Sequence, residues 1–374
     1  MTHLAENKVE PNSRANKPAN FGQLQERLKQ PRAELELSNF SEQQFEFFLD
    51  ALENAADENM VMSDVFTKIR GDHIYPSTQN RPCGNWKPLI DADLVIPKPD
   101  FFDGVRKGSK YREIRKALDT IIVPSTMHDC PFLPNLFGEA KAPKGSGDIA
   151  ERQACYDGAM GARAMHHLQS YATAEIYDHN AYTFTFTYSR GFLEIYAHHM
   201  SQPDGPCTQP HYHMTSLASY ALRHSRQTFI EGATALRNLR DIAHELRESF
   251  LADADQRMRD LPQEVRERLI GEAMKRVQES LPEMSSLEDA VRNSQNQASN
   301  GGGSQTSASE ANADDSDITI TPKRQATKRR RDHKTVYAAK PKQTPNPKTG
   351  SKSKPTRKVK MKLRSRTNTK AKAH

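Results

Sequence analysis

From Lys323 to His374 the chain carries 20 lysines and arginines against a single acid, Asp332. That stretch holds a charge of +19 in a protein whose net charge is +7, so residues 1–322 carry −12. A segment so basic, and so rich in Pro, Ser and Thr, cannot bury enough apolar surface to offset the entropy of ordering it. Any packed core must therefore come from the acidic part. The whole chain has 374 residues, of which 35% are hydrophobic. That length suits about two domains of roughly 150 residues, and the composition requires that part of the chain be disordered. No run of about 18 apolar residues is present to span a bilayer, and the N-terminal stretch lacks the apolar segment of a secretory signal. Cys83, Cys130, Cys155 and Cys207 are far apart with no Cys-x-x-Cys pair, which excludes a disulfide framework and a cysteine-rich zinc module and favours a reducing intracellular compartment.

Composition and periodicity divide the chain into five parts. Residues 1–35 mix Asn, Pro, Lys and Glu without apolar periodicity and are expected to be a disordered arm. Residues 36–216 form the predicted α/β core. Ser41 is placed to cap a helix carrying Phe45, Phe48, Leu49 and Leu52 on one face. An extended segment through Leu94, Val95 and Ile96 leads to Asp100, a polar helix is expected over Tyr111 to Leu118, and the apolar run Leu136 to Lys141 reads as a strand. Asp148 and Glu151 have capping-box spacing for a helix to about Tyr171, and Gly158, Ala159, Gly161 and Ala162 leave its middle bare enough to lie close to a sheet. Tyr182, Phe184, Phe186 and Tyr188 then alternate with Thr183, Thr185 and Thr187, turn at Ser189-Arg190-Gly191 and continue through Leu193, Ile195 and Ala197, the pattern of a β-hairpin. Residues 217–284 read as a helical extension, with Phe229, Leu236, Leu239, Ile242, Leu246 and Phe250 on one side and Pro262 opening a second helix. An apolar stripe of that kind packs on its own domain or forms a homodimer. Residues 285–321 are linker by composition, and residues 322–374 are the basic tail.

Three features of the core converge on one chemistry. Asp100 follows a proline at the end of an extended segment. Glu139 and Lys141, two apart on a strand, share one face of the sheet. Gln153 and Tyr156 lie on the helix that follows. Two carboxylates and a backbone carbonyl make a hard-oxygen site suited to Mg²⁺ or Mn²⁺. A metal held there, with a lysine beside it, would support phosphodiester hydrolysis.

These residues resemble the PD-(D/E)xK nuclease superfamily. The matching elements are Pro99-Asp100, Glu139-Ala140-Lys141, and a helix whose Gln153 and Tyr156 are similar to the extra motif of the RecB-like branch. The stretches PKPDFFDGV, PNLFGEAKAPKG and ERQACYDGAMGARAMHHLQSY, with the aromatic hairpin, also resemble an uncharacterised domain family common in fungi. The resemblance implies a restriction-endonuclease-like α-β-β-β-α-β core, with Asp100 and Glu139 as metal ligands, Lys141 on the water or phosphate, and Gln153 orienting the site. An insertion around Tyr111 to Leu118 is needed between the strands, and the Gln-to-Tyr spacing is one residue tighter than in the RecB-like pattern.

Other groups are weighed beside these. His211 and His213 with Cys207 are a candidate zinc set that lacks a fourth ligand. Cys155 is expected to be a small buried hydrophobe. Glu46 or Glu53 on the first helix is a candidate to join the metal site, against the commoner reading of a surface acid. No Gly-x-Ser-x-Gly elbow, phosphate-binding loop or Gly-x-Gly-x-x-Gly is present, which argues against serine hydrolases and common nucleotide-binding enzymes. In the tail, Lys323 and Arg324 followed by Lys328, Arg329, Arg330 and Arg331 resemble a two-part nuclear localisation signal for an acidic import receptor. The basic residues from Lys352 to Arg366 suit sequence-independent phosphate contact, and Asp314 to Ile320 suits strand addition to a partner. The expectation is a nuclear, nucleic-acid-binding protein with a metal-dependent nuclease-like domain. Its alternative is a non-catalytic DNA- or chromatin-binding protein on a degenerate nuclease fold.

Overall fold

The computed structural model describes residues 2–11, 16–72, 75–90, 96–205 and 208–280. The chain divides into a unit Met1–Thr321 and a unit Pro322–His374. The linker expected at 285–321 and the whole basic tail lie outside the described residues.

The first unit is a mixed α/β structure. It opens with α1 (Thr2–Glu6), β1 (Val9–Glu10), α2 (Phe21–Leu28) and α3 (Glu42–Asn54). Next, α4 (Glu58–Met60) runs through a π-helical turn at Val61–Val65 into α5 (Phe66–Arg70), followed by β2 (Ser77–Gln79), β3 (Phe101–Val105), α6 (Arg112–Ala117), α7 (Asp119–Ile122) and β4 (Phe132–Lys141). Then come α8 (Gly147–Gln169), β5 (Thr183–Ser189), β6 (Phe192–Ser201), β7 (His211–Ala221), α9 (Arg226–Asp260) and α10 (Gln263–Ser280). The strands form one sheet in the order β1-β7-β6-β5-β4-β3-β2. β4 pairs with β5 and β1 with β7 in parallel, and the remaining pairs are antiparallel.

Local chemistry explains much of this order. Ser41 and Gln44 make the reciprocal capping box that starts α3, satisfying two orphan N–H groups. The β5–β6 hairpin turns on Arg190 and Gly191, both at positive φ (53° and 84°), as a two-residue turn matched to strand twist requires. The apolar partners of that hairpin, Phe184, Phe186, Tyr188, Leu193, Ile195 and Ala197, pack with α3, α5 and α9 on one face of the sheet. On the other face, Phe102, Phe137, Tyr196 and Met214 pack against Ala154, Tyr156, Ala159 and Met160 of α8. The hairpin threonines are buried as well, so the sheet is covered on both sides.

α8 lies unusually close to the sheet. A Cβ on Gly158 would sit 2.2 Å from the His198 ring, and one on Gly161 would sit 2.7 Å from both Phe137 and Thr183. His198 is itself fixed by a 2.8 Å hydrogen bond with Thr185 Oγ1. Gly158→Ala should therefore destabilise the fold by about 1–3 kcal/mol through overpacking, although alanine is the better helix former by about 1 kcal/mol. Urea denaturation of the two proteins measures the sign directly.

Four expectations need correction. The segment 1–35 is structured wherever it is described: Leu24 and Leu28 of α2 are buried in the core, and β1 adds to the sheet edge beside β7. Its few apolar residues are enough because α9 and β7 supply the complementary surface. The boundary expected at 217 falls inside β7, whose Leu217 faces the core. The helical extension is likewise no separate region, since Phe229, Leu236, Leu239 and Ile242 of α9 share one cluster with the hairpin and α3. That stripe is covered by the chain's own sheet. Finally, α8 begins at Gly147 after Ser146, without a side-chain cap. Asp148 instead lies in the first turn, where its charge suits the helix dipole.

Candidate active site

The expected residues meet at one end of the sheet. In the β3–β4 ladder Phe101 pairs with Gly138 and Phe102 with Phe137, so Asp100, one residue before β3, faces Glu139. Alternation along β4 sends Leu136 and Ala140 to the α9 side and Phe137 to the α8 side. Glu139 and Lys141 share the parity of Phe137 and so point toward α8. There they line a cleft of about 790 Å³ together with Asp100, Gln153 and Asp157. Exposed Lys98 and Lys144 stand at its rim.

The cleft has strong electrostatic character. Asp100 is buried, and its Oδ2 accepts a 2.8 Å hydrogen bond from the Ala140 N–H. Burial pushes its pKa up to about 6, against the pull of that N–H and of Lys141. Glu139 is 1% exposed and Asp157 3%. Burial holds both carboxyls well above the usual carboxylate range; the neighbouring Asp157 and Asp100 charges add to the rise at Glu139, and the Asp100 charge adds to it at Asp157. Glu139 Oε2, Asp157 Oδ2 and Gln153 Oε1 are all buried with no hydrogen-bond donor assigned to them among the described residues. Burial works to lower the pKa of Lys141, but the carboxylates of Asp100, Glu58 and Glu139 outweigh it and raise the value. The Lys141 ammonium lies 3.2 Å from Glu58 Oε1.

Asp100, Glu139, Lys141 and Gln153 are thus brought together, and Tyr156 lines the same cleft. Two further residues of the cleft, Asp157 and Glu58, were not among those expected. Asp157 is one turn beyond Gln153 on α8, and that four-residue spacing was the available signal. Glu58 was hidden because α4 is a single turn without periodicity. Glu46 and Glu53 of α3 are exposed and lie away from the cleft lining. His211 and His213 lie beside carboxylates: His211 is 2.9 Å from Asp204, and His213 is 3.1 Å from Glu10. Cys207 and the proposed localisation residues lie outside the described residues. Cys155 is buried, which pushes its thiol up to about 12.

Residues 42–254 match the family described as a domain of unknown function, DUF7924. The chain belongs to the DUF7924 family. The match runs from the start of α3 into α9, so the DUF7924 domain contains the whole carboxylate cleft and most of the long helix that closes the sheet. No curated protein and no solved structure matches the chain.

The crowding of carboxyls has a measurable consequence. A group whose pKa is raised in the folded state binds more protons folded than unfolded, so its contribution to stability falls as pH rises through that range. In metal-free buffer, Asp157→Asn should have little effect near pH 4. Toward pH 8, where the wild-type carboxyls are forced to ionise, it should stabilise the protein by several degrees. Thermal denaturation in EDTA across that range checks this, and a pH-independent difference would count against it.

Proposed function

We propose that the DUF7924 domain of this chain is a metal-dependent phosphodiesterase of the PD-(D/E)xK type, acting on nucleic acid. The observation that carries the reading is the meeting of Asp100, Glu139 and Lys141 in one cleft, with buried carboxylate and amide oxygens that lack donors. With α4 to α7 taken as insertions, the order α3, β2, β3, β4, α8, β5 supports the same reading, because it matches the α-β-β-β-α-β succession of a restriction-endonuclease-like core.

The residues fit a hard cation. Oxygen is the only donor element among Asp100, Glu139, Asp157 and Gln153, as Mg²⁺ and Mn²⁺ require. Among the described residues no three His, Cys, Asp or Glu side chains are already gathered at ligand spacing. Asp100 and Glu139 would hold the ion, with water completing its shell. When bound, such an ion activates a water molecule and offsets charge on the phosphate. Lys141 stays protonated among its carboxylates and presents an ammonium to the attacked phosphate or the attacking water. Glu58 orients that ammonium from α4. Gln153 offers an amide to the same space, and Lys98 and Lys144 are placed to meet flanking phosphates.

The basic tail serves a separate role in this account. Lys323, Arg324, Lys328, Arg329, Arg330 and Arg331 direct nuclear import, and the later lysines and arginines hold the protein on DNA through the phosphate backbone. Deleting residues 322–374 should abolish nuclear accumulation. It should also weaken duplex binding and flatten its salt dependence, by a slope of about 0.9 for each phosphate that the tail neutralises. Fluorescence microscopy and binding measured across salt concentrations report the two effects separately.

The activity is tested by incubating the purified protein with linear, circular and single-stranded DNA, and with RNA, in Mg²⁺, Mn²⁺ or EDTA. Cleavage that requires the metal supports the proposal. Salt-dependent binding without cleavage under any of these conditions overturns it, in favour of a binding protein on a borrowed fold.

A further inference from the structure

We propose that Asp157 is a third carboxylate ligand of the cation site, so that the ion is held from helix α8 as well as from β3 and β4. This rests on the metal-dependent reading above and adds to it a residue outside the Asp, Glu-x-Lys and Gln positions that the sequence resemblance supplies.

The argument begins with unmet acceptors. Glu139 Oε2, Asp157 Oδ2 and Gln153 Oε1 come from two facing elements, line one cleft, and have no donor assigned to them among the described residues. A proton shared between Glu139 and Asp157 meets the needs of that pair alone and leaves the Gln153 oxygen bare. The ammonium of Lys141 is engaged by Glu58 at 3.2 Å. A hard divalent cation, which gathers about six oxygens, serves all three at once. Asp157 is also well held for this purpose. It is buried, sits one turn from Gln153 on the same helix face, and immediately precedes Gly158, where an added Cβ would meet the His198 ring of the sheet.

The test uses the full-length protein without nucleic acid and Mn²⁺ as the probe, with calorimetric titration at pH 8 of wild type, Asp157→Asn and Glu139→Gln. Asp157→Asn should bind Mn²⁺ at least tenfold more weakly while keeping a native circular dichroism spectrum, and Mn²⁺ should raise its melting temperature less than that of wild type. If Asp157→Asn binds as tightly as wild type while Glu139→Gln does not, Asp157 is no ligand and the wider reading of the site stands. If wild type itself fails to bind Mn²⁺ at millimolar concentration, both fall. Should the variant misfold, a Mn²⁺-soaked wild-type crystal decides the matter. An ion in coordination contact with an Asp157 oxygen supports the proposal, and an ion bound by Asp100 and Glu139 but remote from Asp157 overturns it.

Discussion

Glu139→Gln and Lys141→Ala should each lower the rate of metal-dependent cleavage by on the order of 10³-fold or more, with nucleic-acid binding little changed. Glu139→Gln keeps the size of a buried side chain but removes the charge that holds the cation and helps to keep Lys141 protonated. Lys141→Ala removes the ammonium itself. Losses of about 10²–10³ are usual when one preorganised electrostatic group is removed, and here one group holds a metal whose own contribution is several kcal/mol. Both variants should fold. Glu139→Gln relieves a crowded carboxyl pair, and Lys141 lies at the end of β4 beside an exposed loop. Single-turnover rates with saturating Mg²⁺, beside circular dichroism of each variant, measure the effect. A Glu139→Gln protein that cuts at the wild-type rate would remove Glu139 from the chemistry.

The largest effect on stability is expected at Asp103. Its carboxylate is fully buried and accepts two hydrogen bonds from the Arg240 guanidinium, at 2.8 and 3.0 Å, and Arg240 is 2% exposed. This pair fastens α9 across β3. About two turns further along α9, the buried Arg247 donates to Asn135 of β4. Removing one partner of a buried pair leaves an uncompensated charge and costs about 3–5 kcal/mol, so Asp103→Ala should lower the denaturation midpoint sharply. Asp103→Leu combined with Arg240→Met should recover much of the loss, since apolar replacements of similar volume are often neutral or better. A double variant as unstable as Asp103→Ala would show that the pair contributes more than charge compensation.

The legible parts of the sequence were those governed by local rules. The Ser41 cap, the hairpin turn at Arg190-Gly191 and the glycine-lined face of α8 are each dictated within a few residues, and each is where the sequence placed it. The two errors of organisation share one cause. Residues 1–35 lack periodicity of their own and are ordered by surfaces on α9 and β7 that lie far away in the chain. The stripe on α9 reads the same whether it meets a partner or its own sheet, so its docking onto the hairpin could not be seen from spacing. At the site, Glu139 and Lys141 followed from strand parity. Asp157 was passed over because an acid inside a helix is ordinarily a solvated one, and only its position opposite Glu139 makes it otherwise. Glu58 carries no sequence signal, since its helix is a single turn.

The most direct test of the central claim is anomalous scattering from a crystal of the wild-type protein soaked in millimolar Mn²⁺. The account predicts a peak in the cleft in coordination contact with the Asp100 and Glu139 carboxylates, with Lys141 beside it and free of the ion. A cleft with no peak at that concentration, or an ion bound elsewhere while Glu139 and Asp157 share a proton, would contradict it.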